Sequence, residues 1–164
     1  MMAVLIVEPI RHIAHSLNIK ALEWVMSLGA ALFGYALLQP GSTFGLSPSY
    51  DVIAASLAYI HGTEETMGWS IVILAIIRFV ILGINGLWKA SPSARCGMSA
   101  AYALLWFFVF FGMWNAVGFA STGTGIYLAL MVGELINMAR TAYEWGLLRK
   151  TAAEDTRHEP HTGH

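Results

Sequence analysis

The sequence predicts an all-α integral membrane protein, a four-helix bundle with both ends on the cytoplasmic side. Three observations predict it: charge is scarce, apolar residues fall in four bilayer-length runs, and Lys and Arg occupy alternate connections only. Of 164 residues, 57% are hydrophobic and 12% charged, whereas an average soluble domain carries about 25% charged and about 45–50% apolar residues. Nine Lys+Arg against ten Asp+Glu leave no basic surface for nucleic acid, so no nucleic-acid partner is expected. The lipid bilayer is the expected surrounding.

Residues 1–20 precede the first run. The short apolar stretch 1–7 has no basic residue before it and so lacks the n-region of a cleaved secretory signal. The first span is therefore expected to act as the insertion signal. Within 9–16, Ile10 and Ile13, with Leu17 just beyond, recur at helical spacing opposite Arg11, His12 and His15. That pattern predicts an amphipathic helix lying in the cytoplasmic interface.

A hydrocarbon core of about 30 Å needs about 20 mostly apolar helical residues. The first run that qualifies is 21–39, stopped by Pro40-Gly41, and 69–88, 99–119 and 126–148 follow it. None shows the period-2 alternation of barrel strands, so the spans are read as helices, whose backbone groups pair internally in lipid. Pro92 and the Ser121-Thr122-Gly123-Thr124-Gly125 stretch interrupt the pattern where turns are needed. Between the first two spans, 50–59 is apolar enough for a short interfacial or re-entrant helix. The polar residues 151–164 include Pro160 and Gly163 and read as a disordered cytoplasmic tail.

Orientation follows from the basic residues, which favour cytoplasmic connections. Arg11 and Lys20 precede span one, Lys89 and Arg95 lie between spans two and three, and Arg149, Lys150 and Arg157 follow span four. Connections 40–68 and 120–125 contain neither Lys nor Arg. Trp24, Trp69, Trp88, Trp114 and Trp145 lie near span ends, the headgroup level that tryptophan prefers, and Trp106 alone falls in mid-span.

Arg78 stands at the centre of the second run, where insertion of an arginine costs about 2.5–3.5 kcal/mol. Its guanidinium keeps its proton and needs an acceptor, and the acid deep in another span is Glu134. Counting 1.5 Å per residue from the outer ends puts the two at roughly 13 Å and 12 Å depth. Matched depth and opposite charge predict an ion pair, serving either helix register or a transport path. Asn137, Arg140, Thr141 and Glu144 extend a polar stripe from Glu134 along one side of the last span. Asn137 is expected to face the bundle, and Arg140 and Glu144 the cytoplasmic headgroups. Asn115 and Asn85 are read as supporting helix contacts. Ala30 with Gly34, and Gly112 with Ala116, have the small-xxx-small spacing that lets helices approach closely, and Phe107, Phe108, Phe110 and Phe111 read as lipid-facing and interhelical bulk.

The remaining chemistry is sparse. A single cysteine, Cys96, excludes an intramolecular disulfide and any multi-cysteine metal site. No span contains histidine, which leaves no intramembrane imidazole for haem. In the outer connection His61, Glu64 and Glu65 are close enough in sequence to be weighed as ligands of a divalent ion, although zinc sites usually take three or four placed ligands; a solvated loop is the simpler reading. His158, His161 and His164 recur every third residue in the tail, a spacing with adventitious metal affinity. No P-loop, dinucleotide fingerprint, nucleophile elbow or HExxH motif is present. No cofactor and no catalytic residue are expected.

Gln39-Pro40-Gly41 with Thr43-Phe44, then Glu65, Gly68-Trp69, Arg78, Asn85-Gly86, Pro92 and Arg95, form a pattern that resembles small multi-span membrane proteins of tailed bacteriophages and prophages. The resemblance runs from the outer connection through the third span. It implies residence in the bacterial inner membrane during infection and transfers no catalytic residue. The functional expectation is a non-enzymatic membrane protein that acts by helix association with itself or a membrane partner. The alternatives are a channel, holin-like pore or ion-coupled transporter using Arg78 and Glu134, and a membrane enzyme or metal site at His61, Glu64 and Glu65.

Overall fold

The computed structural model describes residues 20–84 and 91–158, with side chains described to residue 153. The expected interfacial helix at 9–16 and the residue Asn85 lie outside the described residues. Among those described the chain is all-α, without strands: helices α1 Ala21–Leu37, α2 Asp51–Tyr59, α3 Glu64–Gly83, α4 Ser91–Val117 and α5 Thr122–His158. Three short 3-10 turns, Phe44–Leu46, Pro48–Tyr50 and Gly118–Ala120, fill the connections. By length and composition, Glu64–Gly83 and Ser91–Ala120 can cross a membrane, and α1, with 17 residues, is apolar but shorter.

Each long helix differs from its expected limits for a local reason. Helix α1 stops at Leu37, just before Pro40 and a Gly41 whose φ of 102° suits glycine alone. Helix α3 begins at Glu64 rather than 69 because Thr63 and Thr66 cap it reciprocally. The Thr66 N–H donates to Thr63 Oγ1 at 3.1 Å and the Thr63 N–H to Thr66 Oγ1 at 2.7 Å, a capping box with threonine in the acid's place. Helix α4 takes in Pro92 instead of breaking at it, since a proline in the first turn removes only an N–H that has no intrahelical partner. Helix α5 likewise absorbs Gly123 and Gly125, with the Ser121 hydroxyl accepting from the Gly123 N–H at 3.2 Å.

At its far end α5 runs through His158, so residues 151–158 are helical where the composition suggested disorder. Thr151-Ala152-Ala153-Glu154 continues a helix already nucleated, and extending one costs far less than starting one.

Helices α1 and α3 form one closely packed pair and α4 and α5 the other, with α1 meeting α5 and α3 meeting α4 between the pairs. The first pair is antiparallel: Trp24 meets Phe79, ring centroids 5.5 Å apart, while Gly34 and Gly68 bring the two backbones together. A Cβ on either glycine would stand 3.0 Å from the other's carbonyl oxygen. In the second pair Trp106 stacks on Tyr127 at 5.8 Å, and Gly123 lies against the Met113 side chain. Short helix α2 lies on α4, where Gly112 leaves room for the buried Ile53. Its end is a Schellman turn, with the Gly62 N–H donating to Leu57 O at 2.8 Å and the His61 N–H to Ala58 O at 3.0 Å. His61 occupies the left-handed position of that turn, φ 56°.

Candidate functional site: buried ion pairs in the helix interior

All four long helices turn polar side chains inward, and where a helix has more than one they recur at three- or four-residue spacing, the geometry that keeps one face of a helix against its neighbours. Glu23 and Ser27 point inward from α1, Arg78 from α3, Arg95 and Ser99 from α4, and Glu134, Asn137 and Thr141 from α5, each 2% exposed or less. Between them lie Ala30, Ile71, Ala75, Tyr102, Trp106 and Val109, also buried.

The structure brings Arg78 and Glu134 together at mid-helix. The guanidinium is bidentate: Nη2 donates to Oε2 at 2.8 Å and Nη1 to Oε1, with both side chains at most 1% exposed. This fork-on-fork geometry suits arginine and not lysine. Nη2 also donates to Ser99 Oγ at 3.2 Å, and the guanidinium lies over the Tyr102 ring, 5.1 Å from its centroid. Asn137 joins the site, its Nδ2 reaching Glu134 Oε2 at 3.5 Å. Charge is balanced one to one, which a buried ion requires. Ser27 and Thr141 spend their hydroxyls on carbonyls of their own helices, Glu23 O at 2.6 Å and Asn137 O at 2.8 Å.

A second cluster, at the end where α1 and α4 begin, escaped the sequence reading. Arg95, placed there in a connection, sits 1% exposed inside α4 and pairs with Glu23, which is 2% exposed. Its Nε donates to Oε2 at 2.9 Å and its Nη2 to Oε1. Nη1 turns to Glu144 at 2.8 Å, and Lys20 Nζ reaches the same carboxylate at 3.3 Å. Glu144 thus faces the helix interior, half-buried, and not outward as its position near the span end suggested, while Arg140 is exposed. Burial and then the Arg95 guanidinium push the Lys20 ammonium below its ordinary value, against the pull of Glu144 and Glu23. The available signal was periodic: Lys20, Glu23 and Ser27 precede Ala30 and Gly34 on one stripe of α1.

The other candidates are not brought to these pairs. Asn115 is exposed and donates to Phe111 O in its own helix at 2.7 Å, so it contacts no other helix through that bond. Glu64 clamps the connection after α1, accepting from Ser42 Oγ at 2.9 Å and from the Thr43 and Phe44 N–H groups at 2.7 and 3.3 Å. His61 and Glu65 are exposed, and among the described residues no group of three or more His, Cys, Asp and Glu side chains is placed to hold a metal ion. Cys96 packs on α5, with Sγ 3.7 Å from Met138 O.

No protein-family model matches the chain, and neither a curated protein nor a solved structure is significantly similar to it.

Proposed function

We propose that the chain is a non-enzymatic integral membrane protein that crosses the bilayer four times and acts by helix association with itself or a membrane partner. One observation carries this reading: the distribution of polarity is inverted relative to a soluble bundle. Arginine and glutamate are almost never fully buried unless paired, yet Arg78, Arg95, Glu23 and Glu134 are inside. Val25, Leu32, Ile76, Leu104, Phe111 and Ile126 face outward on the four long helices, each more than half exposed. Ionisable groups within membrane helices turn to the bundle interior and pair, and lipid-facing surfaces are apolar all along.

The exposed Trp69 and Trp114 fall at the ends of α3 and α4 that the orientation places outside, where an aromatic belt belongs. Both chain ends are then cytoplasmic, and the Lys20–Glu23–Arg95–Glu144 cluster lies at the cytoplasmic end. Residence in a bacterial inner membrane, in a phage-related process, rests on the sequence resemblance.

Single-cysteine labelling tests the arrangement. In a Cys96→Ser background, Ala55→Cys is expected to react with an impermeant thiol reagent from outside the cell and Asp155→Cys only after permeabilisation; reaction of both from one side sinks the four-span arrangement. A second reading, a small channel or ion-coupled transporter, is favoured by the fully buried charge at mid-height. For it, Arg78→Gln must abolish ion flux in reconstituted vesicles while the protein still inserts, and unchanged flux removes that role.

A further inference from the structure

Three buried polar atoms flank the central ion pair without a hydrogen-bond partner among the described residues: Tyr102 Oη, Trp106 Nε1 and Asn137 Oδ1. All three side chains are at most 1% exposed. Tyr102 and Trp106 are one turn apart on α4, where Trp106 stacks on Tyr127 of α5, and Asn137 is one turn beyond Glu134 on α5, the helix packed most closely on α4. Tyr102 is tied to the ion pair by the guanidinium over its ring, and Asn137 by its contact with Glu134.

The orientation of Asn137 is set by its neighbour. Exchanging its amide oxygen and nitrogen would turn Oδ1 toward the Glu134 carboxylate, acceptor against acceptor, so Nδ2 stays there and Oδ1 is left bare. The indole of Trp106 can only donate, the amide oxygen of Asn137 can only accept, and the Tyr102 hydroxyl does both. An anion would satisfy the indole but not the amide oxygen. A cation would do the reverse. Because Arg78 and Glu134 already cancel, no net charge remains to hold either ion.

We infer that ordered water occupies the α4–α5 seam beside the Arg78–Glu134 pair, hydrogen-bonded to Trp106 Nε1, Tyr102 Oη and Asn137 Oδ1. Water both donates and accepts, and buried water commonly sits where interior polar groups lack protein partners. Cys96 on α4 is level with Met138 on α5, so Trp106 and Asn137 stand roughly 14 Å apart along the helices at 1.5 Å per residue, and serving all three groups takes more than one water molecule. This holds whatever surrounds the outer surface.

The test is X-ray radiolysis of the full-length protein in lipid nanodiscs, with oxidised residues located by mass spectrometry. Radicals form from water and modify the side chains that touch it. Tyr102 and Trp106 are expected to be oxidised at a dose that oxidises the exposed Tyr59; protection of either at that dose overturns the inference. Tyr102→Phe supplies a second readout. Removing a hydroxyl that holds water is expected to cause loss of Trp106 oxidation and to leave the melting midpoint unchanged or lower. A raised midpoint with Trp106 oxidation unaltered identifies a dry, unpaired hydroxyl and overturns the inference equally. Should that variant fail to fold, the unaltered protein's labelling decides alone.

Discussion

Arg95 and Glu23, 72 positions apart in the chain, are joined by two hydrogen bonds at one end of the helix interior, Nε to Oε2 at 2.9 Å and Nη2 to Oε1. The pair ties α1 to α4, two helices that otherwise touch little. Arg95 stands one helical turn from Ser99, whose hydroxyl accepts from Arg78, so the two pairs lie at neighbouring heights. The interior is thus pinned at two heights, once through α3 and α5 and once through α1 and α4.

Replacing Glu23 removes the more buried of the two carboxylates on Arg95 and leaves it only the half-exposed Glu144. Glu23→Gln is expected to destabilise the folded protein by about 3 kcal/mol, the low end for a broken buried pair because Glu144 stays. Glu144→Gln, at a side chain 35% exposed, is expected to cost roughly 1 kcal/mol or less, because water screens that end. Unfolding midpoints of the two variants in the same detergent check the order; equal losses would show that Glu23 is not specially desolvated.

For Arg78 and Glu134 the informative comparison is single against double replacement. Arg78→Met alone or Glu134→Leu alone should cost about 3–5 kcal/mol, while the double apolar variant recovers most of that loss, as buried pairs often tolerate joint replacement. A double-mutant cycle on unfolding measures the coupling. Near-zero coupling would mean that the two groups find other partners in solution.

Glycines at helix contacts should separate by the space around them. At Gly68, where a Cβ would meet the Gly34 carbonyl and the Leu38 side chain at 3.0 Å, alanine is expected to cost about 1–3 kcal/mol through overpacking. At Gly97, with nothing within 4 Å of that position, alanine should stabilise by about 0.5–1 kcal/mol, since glycine weakens a helix interior. Thermal unfolding of the two variants gives the signs directly.

Lys20 imposes a pH dependence of its own. Its folded value lies below the ordinary 10.5, so between the two values the unfolded chain binds more protons and stability rises with pH. The cost of burying the ammonium is full below the lowered folded value and fades as pH climbs from there toward 10.5. Lys20→Gln should be the more stable protein at neutral pH and should lack that rise; an identical pH slope in both proteins would refute the assignment.

Helix positions and the one mid-helix ion pair were legible in the chain because their signals are local. Apolar runs mark helices by length alone, and Arg78 and Glu134 each stand isolated in such a run, at depths that residue counting can compare. The polar ends of the helices were less legible. Lys20, Glu23, Arg95 and Glu144 lie close to apparent boundaries, where composition reads a charge as solvated, and Pro92 and the Gly123–Gly125 stretch carry turn signals that the first turn of a helix tolerates.

Composition and periodicity settled that this chain is helical, and they settled which residues carry charge within its apolar runs. Three-dimensional packing settled which of those charges meet. Partner choice depends on helix rotation about the long axis and on which helices are neighbours, and close approaches such as Gly34 against Gly68 establish both. A single strand of residues does not encode that approach locally, because the two backbones that make it are distant in the chain and are joined only when the side-chain surfaces between them fit.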